Sequence, residues 1–174
     1  MPMGAVQHVV VIGLMGAGKT TVGRELARRL GWSWRDSDAD IEASTGSTVR
    51  ELRNREGVDA MHARETAQLL DALAAPGPGV ISAAASVIDD PAACLAMRAS
   101  GVVVIWLHAR PDVLATRFDS ADEHRPAYGD APESFLADQA ARREPLLGEV
   151  GAHVIDVDTI TPDEAVTRAL SLLG

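Results

Sequence analysis

Gly13-Leu14-Met15-Gly16-Ala17-Gly18-Lys19-Thr20, preceded by the apolar run Val9-Val10-Val11-Ile12 and followed by Thr21, decides how this chain folds. It fits G-x-x-x-x-G-K-[ST], the Walker A pattern, at every position. Both flanks are those the pattern requires. Residues 7–12 read as a buried strand, and Val22, Leu26 and Leu30 then fall at i, i+4 and i+8 of a helix. In such a phosphate loop (P-loop) the glycines let backbone N–H groups turn inwards around phosphate oxygens. The helix N-terminus adds its partial positive charge. Lys19 is placed to bridge the outer phosphates, and the Thr20 hydroxyl to complete the shell of a Mg²⁺ ion. A nucleotide site made of Gly13, Met15, Gly16, Ala17, Gly18, Lys19, Thr20 and Thr21 follows, with ATP and Mg²⁺ as the expected cofactors. A glycine turn matching by accident would leave both flanks unexplained.

Lys19 is also the only lysine; every other basic residue is an arginine. A codon bias accounts for the depletion, but not for where the surviving lysine sits.

Outward from the loop, strands and helices alternate. Gly31 ends the first helix, and residues 32–35 read as a second strand running into Asp36, Asp38 and Asp40. Helical patterns cover 39–44, 48–55 and 58–74, the last broken by Pro76-Gly77-Pro78-Gly79. Residues 80–83, 102–107 and 153–157 read as three more strands. Helices are expected after Asp90-Pro91, over 111–118 and over 133–147. Thr161-Pro162-Asp163-Glu164 carries a full start signal for a closing helix. The expected fold is α/β, with a five-stranded parallel sheet and helices on both faces in three layers. Residues 119–132 are polar, hold two prolines and have the length of a mobile lid.

The chain has 174 residues, 47% hydrophobic and 24% charged, which is one domain's worth of material, 1–174. A net charge of −9 argues against nucleic-acid and anionic-membrane partners, which need a basic face. The single cysteine, Cys94, forms no internal disulfide and fits a reducing cytoplasm. No apolar run reaches the ~18 residues of a spanning helix, and residues 1–7 do not read as a secretory signal. A monomer acting on a small molecule is the expectation. Among P-loop proteins, a guanine-specific GTPase needs a second lysine in [NT]-K-x-D, and none exists. Motor and transport ATPases are larger. A short chain with a lid-length loop points to a kinase of nucleotides or metabolites.

Four further segments resemble the shikimate kinase family, in order over about residues 9–170. Trp34-Arg35-Asp36-Ser37-Asp38 looks like its aromatic-x-D-x-D element. Thr45-Gly46, Val49-Arg50-Glu51-Leu52 and Glu56-Gly57 resemble its T-G-x-x-[IV]-x-x-[IL]…G stretch. Arg125-Pro126 matches the lid's pair, and Arg143-Glu144-Pro145-Leu146 its R-x-P-L. The resemblance implies a P-loop kinase fold and transfer of the ATP γ-phosphate to a hydroxyl of a polyhydroxylated acid. It also implies roles. Asp36 would hold a water of the Mg²⁺ shell, with Ser82 beside it, and Asp38 would orient or deprotonate the acceptor hydroxyl. Arg125 would close with the lid on the transferring phosphoryl group. Arg143 would bind the acceptor's acidic group, and Arg117 and Pro162 would sandwich adenine. Residue by residue, the alternatives are a helix cap for one of Asp36 and Asp38, and a surface arginine for Arg125 or Arg143.

Two departures fall in the acceptor half. The family's Gly-Gly-Gly run after the third strand is here Ala84-Ala85-Ser86, whose Cβ atoms take up space and which cannot adopt the positive φ open to glycine. The family's carboxylate-clamping arginine falls on His62, which has no guanidinium fork and carries charge only when protonated. Arg64 lies on another helix face. The acceptor residues are therefore Asp38, His62, Ala84, Ala85, Ser86 and Arg143. Three readings stay open: a shikimate kinase-like enzyme, a kinase for another acceptor such as a sugar acid (Leu30-Gly31-Trp32 faintly resembles gluconate kinases), and a non-catalytic nucleotide-binding paralogue.

Overall fold

The computed structural model describes residues 6–117 and 132–174. Five parallel strands form one sheet: β1 (His8–Ile12), β2 (Ser33–Asp36), β3 (Gly79–Ser82), β4 (Val102–His108) and β5 (His153–Asp156), in the order β2-β3-β1-β4-β5. β1 is central and buried along its whole length. Its side chains alternate between the two faces, so each face collects its own helices. Val9 and Val11 join Val22 and Leu26 of α1 (Lys19–Leu30) and Ala165, Val166 and Ala169 of α8 (Pro162–Leu173). Val10 and Ile12 join Leu69 and Ala72 of α4 (Val58–Ala74), Met97 of α5 (Pro91–Met97) and Leu147 of α7 (Pro132–Glu149). Three layers result, as the alternation of elements predicts.

A smaller cluster, Ile41, Val49, Leu52 and Met61, ties α2 (Ser37–Thr45) and α3 (Val49–Glu56) to α4. This outlying block forms a wall beyond the C-terminal ends of β2 and β3. α6 (Pro111–Thr116) follows β4 and packs on α7.

Two local expectations need correction. α2 begins at Ser37, two residues before the expected start, because the Asp36 side chain accepts from the Ala39 N–H and caps the helix there. Ala85–Asp89, for which no element was expected, is a 3-10 helix. Among the described residues no non-glycine has a positive φ, and Ala84 sits at −64°. The backbone here therefore makes no demand that only glycine can meet. The expected lid, 119–132, lies outside the described residues except for Pro132, which opens α7.

Candidate active site

The strand ends and the helix block enclose one cavity of about 780 Å³, within the usual range of small-molecule sites. The phosphate loop lines one end through Leu14, Met15, Gly16, Gly18, Lys19, Thr20 and Thr21. Gly16 and Gly18 take φ of +87° and +91°, a region that side chains with a Cβ avoid. The Lys19 ammonium donates to the carbonyls of Gly13 (2.8 Å) and Leu14 (3.2 Å), folding back over the loop it serves.

Parallel register brings the acidic pair to the loop. Asp36 pairs with Ser82 at the ends of β2 and β3, and Ser82 pairs with Val11 of β1. The Thr20 hydroxyl donates to Asp36 Oδ2 at 2.8 Å, while Asp36 Oδ1 caps α2. One buried carboxylate thus caps α2 with one oxygen and receives the Thr20 hydroxyl with the other. This all-oxygen pair suits a hard cation. Among the described residues no cluster of three or more His, Cys, Asp or Glu could hold a metal by itself. A Mg²⁺ ion here needs phosphate oxygens and water to fill its shell. Ser82 lies beside Asp36 in the register and lines the same cavity. Its hydroxyl donates to the Lys19 carbonyl (2.9 Å) and accepts from Trp34 Nε1 (3.1 Å), so it fastens α1 to the sheet.

Asp38, in the first turn of α2, lines the same cavity as the loop and the acceptor end. That end is formed by Val49 and Arg53 of α3, Asp59, Met61, His62 and Glu65 of α4, Ala84, Ala85 and Ser86, and Arg143 of α7. All the expected acceptor residues are therefore brought together. Arg143 is almost fully buried, and its Nε (3.1 Å) and one terminal nitrogen (2.8 Å) both donate to Asp89 Oδ2. Asp89 fixes the guanidinium before any ligand arrives. His62 was a candidate to supply charge by protonation. Burial, with the Arg143 charge adding to it, instead pushes its pKa below the ordinary value, so it is neutral at pH 7. Arg64 turns away to Glu56, as its place on the helix predicts.

The sequence reading missed Arg53, Glu65 and Asp89. Glu65 had a signal: it interrupts the buried stripe Met61, Leu69, Ala72 of α4. The Ser86 hydroxyl donates to its carboxylate. Burial pushes Glu65 up to about 7 against the lowering effect of that hydrogen bond. Arg53 was hidden by α3 itself, where Arg50, Arg53 and Arg55 look like one solvated face.

Of the adenine residues, neither Arg117 nor Pro162 lines this cavity. Arg117 lies against Gly16 and donates to the Val157 carbonyl at 2.7 Å, joining the phosphate loop to the segment that leads into α8. Pro162 is the first residue of α8. Arg125 lies outside the described residues.

The shikimate kinase family model matches residues 15–173. The chain belongs to the shikimate kinase family. It is 37% identical over 172 residues to shikimate kinase 2 of Yersinia enterocolitica, covering 97% of this chain and 96% of that one. With shikimate kinase 2 of Sodalis glossinidius it shares 36% over 170 residues, covering 96% and 95%. Among solved structures, a shikimate kinase from Acinetobacter baumannii in complex with shikimate superposes with a TM-score of 0.85 at 29% identity, covering 97% and 93%. A gluconokinase from Sinorhizobium meliloti follows at 0.66 and 26%, covering 97% and 91%. The protein is thus an ATP-dependent kinase of shikimate kinase type, a phosphotransferase acting on a hydroxyl group.

Proposed function

We propose that this shikimate kinase family member phosphorylates shikimate itself, with Mg²⁺ held through Thr20 and, across a water, through Asp36. The observation that carries the reading is continuity: Lys19, Thr20, Asp38, Arg53 and Arg143 all line one cavity. Phosphate donor and hydroxy acid can therefore meet without either crossing solvent. Bound Mg²⁺ would neutralise phosphate charge and polarise the transferring group. Lys19 leaves the loop carbonyls for the β- and γ-phosphates. Asp38 accepts the acceptor hydroxyl's hydrogen bond and aims its oxygen at the γ-phosphorus. As the new O–P bond forms and the bond to the β-phosphate oxygen breaks, the hydroxyl proton passes to Asp38 and ADP departs. Arg143, held by Asp89, faces the acid with its remaining N–H groups. Arg125 would complete the charge on the phosphoryl side, and Arg117 with Pro162 would flank adenine.

The acidic net charge and the absence, among the described residues, of any helix able to cross a membrane agree with a cytoplasmic monomer acting on small molecules. The test is ADP formation from Mg-ATP with shikimate, gluconate and neutral polyols offered separately. Shikimate-dependent turnover is the expected result. Turnover with gluconate alone would move the protein to the sugar-acid kinases, and ADP binding without turnover on any acceptor would make it a non-catalytic paralogue.

A further inference from the structure

The acceptor end carries His62 where the family resemblance implies an arginine, and two guanidiniums line it. Arg143 reaches it from α7 and Arg53 from α3. Arg53 follows Val49 by one helical turn, and both side chains line the cavity. The two arginines converge on the same strip of α4. Each lowers the pKa of His62 and of Glu65, two residues that share one face of that helix. The other charged groups lining this end are the acids Asp38, Asp59, Glu65 and Asp89 and the rim residue Arg142. Asp89 is committed to Arg143, and Glu65 accepts from Ser86. Ala84, Ala85 and Ser86 line the same end, their Cβ atoms taking up space that a glycine would leave open.

We propose that Arg53 is the specificity-determining residue that replaces the guanidinium missing at position 62, so that the acceptor's carboxylate is bound between Arg53 and Arg143. The inference rests on the proposed function, since it takes a hydroxy acid as the ligand. Its chemistry is local: a planar fork on α3 meets a planar carboxylate, in a partly desolvated pocket where charge-assisted hydrogen bonds are strong.

Binding and turnover are measured separately on the intact protein. Calorimetry with ADP and Mg²⁺ present gives the Kd of shikimate and of its uncharged primary amide for the wild type, Arg53→Met, and Arg53→Met with His62→Arg. Met keeps the apolar stem of Arg53 and removes only the fork. Arg53→Met should weaken shikimate roughly 10-fold or more, weaken the amide far less, and leave ADP affinity unchanged. Adding His62→Arg should restore most of the loss by returning a guanidinium to the same pocket. Equal losses on acid and amide, an unchanged Kd, or a wild type that does not bind shikimate would each overturn the inference. Arg53-dependent binding without phosphorylation would instead overturn the proposed function and leave the inference standing. Phosphorylation that ignores Arg53→Met would do the reverse.

Discussion

Lys19 serves phosphates rather than packing: its ammonium donates to the carbonyls of Gly13 and Leu14 in the phosphate loop itself. Lys19→Ala should therefore abolish phosphoryl transfer while changing the melting temperature little, which turnover and a thermal melt on one preparation would show. Unchanged turnover would remove Lys19 from the mechanism. Glu65 makes a prediction of the opposite kind. Its native pKa, about 7, lies above the ordinary 4.5, so the folded state holds this proton more tightly than the unfolded state. The stability tied to that proton is complete below about pH 4.5 and is lost as pH rises through about 7. The gap corresponds to on the order of 3 kcal/mol. Glu65→Gln, which cannot ionise, should melt increasingly above the wild type between pH 5 and 8. A difference that stays flat across that range would show that burial does not control this carboxyl. Glu65 and Arg53 also mark where sequence reading stopped. The phosphate loop is a contiguous signature, whereas the acceptor end is assembled from α3, α4, α7 and a 3-10 turn. A helix rich in arginine does not announce which one turns inwards.

At the scale of elements, α1 and β3 touch through Gly23. A Cβ at that position would meet Ser82 Oγ at 2.2 Å and Trp34 Nε1 at 3.2 Å. Gly23→Ala should destabilise the protein by roughly 1–3 kcal/mol, the usual cost of overpacking. Because Ser82 also binds the Lys19 carbonyl, the same change should weaken ADP binding. Ser82→Ala in the Gly23→Ala background removes the clashing oxygen and should recover part of the stability. If the double variant is no better than the single one, the strain lies elsewhere. The elements themselves were largely legible: Val58–Ala74 follows from its apolar stripe and the Pro-Gly break, and four of the five strands from their Val and Ile residues, β2 (Ser-Trp-Arg-Asp) being the exception. The exceptions have local causes. A helix cap was open for either Asp36 or Asp38; it falls on Asp36, whose Oδ1 starts α2 at Ser37. Ala84-Ala85-Ser86 cannot adopt the positive φ open to glycine, and the chain turns there through a 3-10 helix with negative φ at Ala84.

Across the whole molecule, the sheet's central strand delivers the phosphate loop, β2 delivers Asp36 and α2 carries Asp38, while α3, α4 and α7 close the far end. Ligands that bind only the folded state should raise the melting temperature with concentration, by an amount equivalent to ~2.7 kcal/mol at a hundredfold excess over Kd. ADP with Mg²⁺ should raise it more than ADP with a chelator, since Thr20 and Asp36 contribute fully only when the ion joins them. Equal shifts would exclude this pair from metal binding. On the proposed function, the phosphate loop and the acceptor residues form a single phosphoryl-transfer site in which Asp38 receives the hydroxyl proton. The most direct test is the kcat for shikimate-dependent ADP formation in Asp38→Asn beside the wild type. The account predicts shikimate-dependent turnover in the wild type and a kcat lower by ~10²-fold or more in the variant, with shikimate still bound. A variant that turns over as fast as the wild type would contradict it.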